Sequence, residues 1–286
     1  MKREDINIRD PYIYVENDVA YMVGTTHESA WGGKRKGFCG YKTRDLENFE
    51  GPFVLFEAKA DFWSDRDYWA PELHKYQGKY YLFATFKAEN KCRASQVLVC
   101  DEPFGTYVPL AEPMTPADWE CLDATFYVEN GIPYTVFCHE WLQCADGEMI
   151  LMQLKPKIDG TEGQPQLLFK ASSAPWVEKF AGDNYITDGP FLRKQKNGSL
   201  LMLWSSFCPT GYALSMAVSK NGIKGPWEHI EKPLFSANGG HGMVFDFQGQ
   251  SYVSLHCPNS PDAAERACFY PVRENGDILE IIPQES

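Results

Sequence analysis

Apolar and aromatic runs of five to eight residues, separated by short polar turns holding Gly, Asn or Asp, recur along nearly the whole chain, while helical periodicity is poor. PYIYVENDVAYMVGT at 11–25, ELHKYQGKYYLFATF at 72–86 and FYVENGIPYTVFC at 126–138 show the pattern, as do FLRKQKNGSLLMLWSS at 191–206 and MVFDFQGQSYVSLHC at 243–257. Each reads as a strand, a tight turn (END, QGK, ENG, KNG, QGQ) and a second strand, and the turn residues tolerate the positive φ that hairpins need. The hairpins begin roughly fifty to sixty-five residues apart, a period expected of propeller blades. Further strand-like segments follow them, such as RASQVLVCDEP at 93–103 and GYALSMAVSKNGIKGPW at 211–227. Four strands per unit at that spacing predict an all-β chain, a five-bladed β-propeller filling residues 1–286 as a single domain.

The innermost strand of a propeller blade lines the central channel, so the residues that open those strands should face one another. They are Asp10 in IRDPY, Glu72 in YWAPEL, Asp123 in CLDATF, Asp188 in ITDGPF and His241 in GGHGMVF. One carboxylate ahead of Gly-Pro is ordinary turn chemistry. Four carboxylates gathered with an imidazole at one end of a channel repel one another and lose hydration, and a fold keeps such a cluster mainly for chemistry or for a cation. Two uses fit: paired carboxyls for glycoside hydrolysis, or oxygen ligands for a hard cation.

Composition narrows the partners. Net charge is −12, and KRK at 34–36 is the one basic cluster, which argues against nucleic acid and anionic membrane surfaces. No run approaches the ~18 apolar residues of a membrane span. The start, MKREDINIRD, lacks the apolar region of a secretory signal, which predicts a cytoplasmic protein if Met1 is the native start and a secreted one if a leader was trimmed. The 9 cysteines form no CxxC pair and read as free thiols in a reducing compartment. Aromatic residues reach 14%; most should pack β-strands, and a few should offer stacking platforms for sugar rings.

RDPYIY at 9–14, YWAPELHKYQGKYYLF at 68–83, LDATFYVENGIPY at 122–134, DGPFLRK at 188–194, GYALSMAVSKNGIKGPW at 211–227 and GGHGMVFDFQGQ at 239–250 together resemble glycoside hydrolase family 43. The resemblance covers nearly the whole chain and implies a five-bladed propeller that inverts anomeric configuration with three carboxylates. By position it makes Asp10 the general base, Asp123 the residue that tunes and orients the acid, and Asp188 the general acid. Asp188 departs from the family pattern, which has Glu in an EGP motif. The shorter side chain must sit about 1–1.5 Å closer to its target, and Asp starts from a reference pKa of about 3.9 against about 4.3.

Glu140, in VFCHEWLQ at 136–143, is a second acid candidate or a substrate contact; HEW lacks the second His of a zincin motif. Trp31, Trp69, Tyr68 and Trp141 are candidate stacking residues, and Glu72 a substrate contact. Arg266 in ERACF would pair with a channel carboxylate or serve the surface. No cofactor is required, although His241 resembles a channel histidine that helps hold a calcium or other ion, and an ordinary buried histidine fits equally. The resemblance implies an oligosaccharide or glycan substrate with terminal α-L-arabinofuranosyl or β-D-xylosyl units, with galactofuranosyl units as an alternative. A fructan-type retaining hydrolase would carry its acid in an ECP motif, which this chain lacks. A sugar-binding propeller without catalysis is the rival from another class.

Overall fold

Asn17 and Asp18, Gln77 and Gly78, Asn130 and Gly131, and Gln248 and Gly249 all have positive φ, between 46° and 82°. Two successive positive-φ residues make the mirror-image turn whose twist matches that of paired strands. Four of the five expected hairpins close in this way. The fourth hairpin closes through the wider KNG turn, where Gln195 N–H donates to Ser199 O (2.9 Å) and Gly198 has φ 91°. The structure, a computed structural model, describes residues 1–26 and 37–283.

Each hairpin starts a four-stranded antiparallel sheet built from consecutive strands. Blade 1 holds β1 (Arg9–Glu16), β2 (Val19–Thr25), β3 (Gly37–Thr43) and β4 (Phe49–Glu57). Blade 2 holds β5 (Arg66–Tyr76), β6 (Lys79–Ala88), β7 (Lys91–Cys100) and β8 (Val108–Pro109). Blade 3 holds β9 (Cys121–Glu129), β10 (Ile132–His139), β11 (Glu148–Leu154) and β12 (Thr161–Lys170), with the one-turn helix α1 (Trp141–Cys144) after β10. Blade 4 holds β13 (Asp188–Lys194), β14 (Leu200–Cys208), β15 (Gly211–Ser219) and β16 (Glu228–His229). Blade 5 holds β17 (Gly240–Phe247), β18 (Gln250–Cys257), β19 (Arg266–Asn275) and β20 (Ile278–Ile281). The first strands β1, β5, β9, β13 and β17 touch in sequence and back to β1, forming the inner ring of a five-bladed propeller.

Apolar side chains pack in wedges between neighbouring blades. Met202, Trp204 and Ala213 of blade 4 meet Val136, Met149 and Phe169 of blade 3, while Leu203 and Leu214 meet Val244 and Leu255 of blade 5. Tyr68, expected as a sugar platform, is instead 1% exposed among Phe38, Phe56, Phe62 and Phe86, and its hydroxyl donates to Ser64 O (2.9 Å). All nine cysteines are free, four of them buried.

Among the described residues no strand of blade 1 pairs with blade 5, so the ring closes without strand exchange. The seam is tied by Ile8 N–H to Glu265 O (3.0 Å), Glu265 N–H to Asn7 Oδ1 (3.0 Å) and Ser254 Oγ to Pro11 O (2.8 Å). Arg266 belongs to this seam. Its guanidinium donates to Glu4 O (2.5 Å) and Glu265 O (3.0 Å), which corrects the expectation of a partner among the channel carboxylates.

Candidate active site

All five inner strands open on a bulge. The ladder slips after Arg9, Trp69, Leu122, Asp188 and Gly240, and the following residues Asp10, Ala70, Asp123, Gly189 and His241 have φ between 44° and 56°. Bulges re-aim side chains, and left-handed non-glycine residues cost of order 1–3 kcal/mol, a strain that gathers at working sites. The second strands hold these bulges. Asp10 N–H donates to His256 Nδ1 (3.3 Å), Ala70 N–H to Thr25 Oγ1 (2.9 Å), Asp123 N–H to Thr85 Oγ1 (2.9 Å) and His241 N–H to Ser205 Oγ (2.8 Å). Each acceptor sits on the second strand of the preceding blade, opposite its own bulge. Blade 3 carries Cys138 at that position, and Gly189 N–H turns to Asp123 Oδ2 (3.1 Å) instead.

The expected register therefore holds for Asp10, Asp123 and His241 and fails for the other two. Glu72 stands two residues past the blade 2 bulge and points below the pocket, where its Oε2 contacts His74 Nε2 (2.8 Å). Asp188 stands one residue before the blade 4 bulge. A Cβ at Gly189 would come within 2.7 Å of the His241 ring, so that position admits no side chain and the blade's carboxylate is displaced to 188.

Above this ring lies a cavity of about 220 Å3 lined by Arg9, Asp10, Asp123, Asp188 and His241 at its floor and by Trp69, Glu140, Trp141, Phe180, Phe207 and Tyr212 on its walls. Asp10 Oδ2 accepts a hydrogen bond from Thr25 Oγ1 (2.7 Å). Its buried Oδ1 accepts none, although His241 Nδ1 lies 3.2 Å away. Burial pushes the Asp10 carboxyl up, but His241, Arg9 and His256 outweigh it and hold it at about 2. Burial pushes Asp123 up to about 7 against His241, with Asp188 and Asp10 adding to the rise; Asp188 is raised by burial as well. Because the charge of Asp188 adds to the rise at Asp123, the two carboxyls titrate as a pair. His241 would be lowered by burial, but the surrounding carboxylates, Asp10 first, raise it.

Glu140 does line the pocket, but its carboxylate is clamped by the Arg93 guanidinium, which also pairs with Asp67 (2.9 Å) and lies 4.5 Å from the Trp69 ring centre. Trp141 meets Phe180 edge-on at 5.9 Å, and Phe180 stacks on Phe207 at 4.3 Å. Trp31 lies outside the described residues. Sequence reasoning missed Arg9, which is paired with Glu265 (2.6 Å) and Asn259 (3.0 Å), and Tyr212, whose hydroxyl donates to Asp188 Oδ2 (3.0 Å). The RDP run places Arg9 beside Asp10, and Tyr212 opens a strand of blade 4, the blade that carries Asp188; nothing in either run names its partner.

The channel below Asp10 does not fit a calcium ion. The space there, about 10 Å3, is water-sized and lined by Asp10, Glu72 and His241 with Pro11, Ala70 and Met243. Its two carboxylates already bond to Thr25 and His74. That set does not supply the six to eight oxygens of a calcium shell.

The chain matches the family described as glycosyl hydrolases family 43 over residues 6–274. The crystal structure of an endo-arabinase from Bacteroides thetaiotaomicron is 37% identical, with a TM-score of 0.89 over 96% of this chain and 98% of that one. A xylosidase/arabinosidase of Thermoclostridium stercorarium is 23% identical over 283 residues, covering 88% of this chain. A family-43 β-xylosidase/α-arabinofuranosidase from a compost metagenome, solved with xylotriose in a calcium-free form, is 17% identical with a TM-score of 0.71, covering 97% and 94% of the two chains; that likeness speaks for the fold alone. The chain spans 55% or less of the length of the curated relatives it matches. With five blades meeting at a carboxylate-lined pocket and the family matched over nearly its full length, the chain belongs to glycosyl hydrolase family 43.

Proposed function

We propose an inverting, exo-acting glycosidase that releases terminal pentose units, α-L-arabinofuranosyl or β-D-xylosyl, from oligosaccharides. The observation that carries this reading is the contrast between Asp10 and Asp188. Asp10 borders the pocket and is held ionised, with Oδ2 fixed by Thr25 and Oδ1 buried among His241, Arg9 and His256. Asp188 borders the same pocket with its carboxyl raised. Environments that drive two carboxyls apart assign base and acid.

The Asp10 carboxylate takes a proton from a water as that water attacks the anomeric carbon, and Asp188 delivers its proton to the departing oxygen. Asp123 accepts the N–H of Gly189, the residue after Asp188, and so holds the acid in place, while its own raised carboxyl titrates together with its neighbour. One displacement inverts the anomer and requires the two carboxyls to stand ~6.5–9.5 Å apart. Trp69 and the Trp141–Phe180–Phe207 wall supply flat apolar faces for sugar rings. Arabinose- and xylose-containing substrates are supported by the relatives' names, and exo action by a cavity below the ~300 Å3 of ordinary ligand pockets.

The test is hydrolysis of p-nitrophenyl α-L-arabinofuranoside, β-D-xyloside, β-D-galactofuranoside and β-D-fructofuranoside, together with linear arabino- and xylo-oligosaccharides. One pentoside should turn over with inversion, with monosaccharide the sole early product, and Asp10→Asn should lower the rate at least ~10³-fold. Short oligosaccharides as early products would replace the exo reading with endo action, which the name of the 37%-identical endo-arabinase favours. Retention of configuration would remove Asp10 from the role of base.

A further inference from the structure

Asp188 is one methylene shorter than a glutamate would be, and the bulge register sets it one residue ahead of the ring formed by Asp10, Asp123 and His241. A short acid has little freedom to search for its target, so its orientation must be supplied from outside. Its Oδ2 accepts a hydrogen bond from the Tyr212 hydroxyl at 3.0 Å. Tyr212 is 1% exposed, and its ring is gripped on two sides. His256 stacks on it at 5.7 Å and 22°, and Phe207 packs at 5.3 Å and 57°. A Cβ on Gly240 would fall 2.6 Å from the ring, so the glycine keeps the slot open. The same His256 accepts the Asp10 backbone N–H, so one imidazole braces the base and the support of the acid together.

We propose that Tyr212 is the positioning residue for the proton donor: its hydroxyl occupies Oδ2 of Asp188 and confines the transferable proton to Oδ1. The proposal rests on the reading of Asp188 as the acid. Burial, and then the charge of Asp188, push the Tyr212 phenol up against the smaller pull of Arg9, so the hydroxyl keeps its proton and stays a donor toward Asp188. A hydrogen bond donated to a carboxylate also favours the ionised form. Tyr212 therefore orients the acid while pulling its titration down, against the burial that pushes it up. The other groups bearing on Asp188 are His241 of blade 5, Arg9 and Asp10 of blade 1, and Asp123, Cys138 and Glu140 of blade 3. Tyr212→Phe keeps the ring and leaves all of them in place.

The experiment compares wild type, Tyr212→Phe, Asp188→Asn, Asp188→Glu and the Asp188→Glu/Tyr212→Phe double variant on two substrates of the same sugar. One has the good p-nitrophenyl leaving group, the other a poor sugar leaving group. Tyr212→Phe should slow the poor substrate ~10–100-fold, within the range of general-acid catalysis, and the nitrophenyl substrate less than ~3-fold. It should also move the alkaline limb of kcat/KM upward by about 0.5–1 pH unit, the equivalent of one hydrogen bond. A merely structural loss slows both substrates alike and leaves the limb in place; that result, or a downward shift, overturns the proposal. In the Asp188→Glu background, whose longer acid has its own reach, the Tyr212→Phe effect on the poor substrate should shrink; an undiminished effect counts against positioning. If Asp188→Asn spares the poor substrate, the acid assignment itself falls. If Asp188→Asn abolishes it and Tyr212→Phe changes nothing, Tyr212 alone is excluded.

Discussion

At the scale of single residues, the pocket is governed by charges that hold one another in place. Asp10 is pulled down to about 2 and stays ionised through the whole working range, so it puts no acidic limb on activity above about pH 4. The proton of the Asp123–Asp188 pair leaves as pH rises, and with it the ability to protonate a leaving group. For poor leaving groups kcat/KM should be flat from about pH 4 and fall with a single alkaline limb above the ordinary carboxyl range, since burial raises both Asp188 and Asp123. A profile on unactivated oligosaccharide checks this; a fall on the acidic side near pH 5 would contradict the electrostatics around Asp10. Arg93 offers a second test. It holds Glu140 and Asp67 and lies against Trp69. Arg93→Leu strands a buried carboxylate and should cost about 3–5 kcal/mol in denaturant unfolding. Glu140→Gln in the same chain should restore part of that loss, and KM should rise because Trp69 loses its backing.

At the scale of elements, the determining feature is the bulge that opens each inner strand. Gly189→Ala should cut kcat more than ~10-fold, because the new Cβ meets the His241 ring at 2.7 Å, and it should cost about 1–2 kcal/mol for the left-handed backbone. Activity and urea midpoint together check it, and an unaffected enzyme would show that His241 yields without consequence. The bulges also explain what could be read from the chain. The hairpins were legible because END, QGK, ENG and QGQ announce their turns by local φ preferences alone. Asp10, Asp123 and His241 were legible because each opens its strand at the same offset. Glu72 and Asp188 were misplaced by two residues and one, because a strand's alternation carries no mark of an inserted residue, and only the neighbouring blade decides which position stays empty. Tyr212 and Arg9 act through partners 24 and 256 residues away, a relation no local pattern encodes. Tyr68 reads as a platform in the sequence because a core aromatic and a stacking aromatic look alike there.

At the scale of the molecule, five self-contained sheets are joined into a ring whose last junction has no strand exchange. Arg266, Glu265, Asn7 and Arg9 tie blade 5 to blade 1. Arg266→Ala should lower the temperature at which activity is lost by about 2 °C, consistent with about 1 kcal/mol in a large domain. Catalysis should fail before the far-UV signal of the sheets, since parting of the seam separates Asp10 from His256 while every blade remains folded. Coincident loss of both signals would show that the junction is no weaker than the rest. The clasp has a further consequence for how such a chain can change over generations. In many enzymes the reacting groups are held against the interest of stability, so a lineage released from selection for activity drifts easily toward a sturdier, inert form. Here Arg9 borders the reacting pocket and also fastens the ring. A lineage that discards it loosens its own closure, and the route from enzyme to stable inert propeller must first find another fastening.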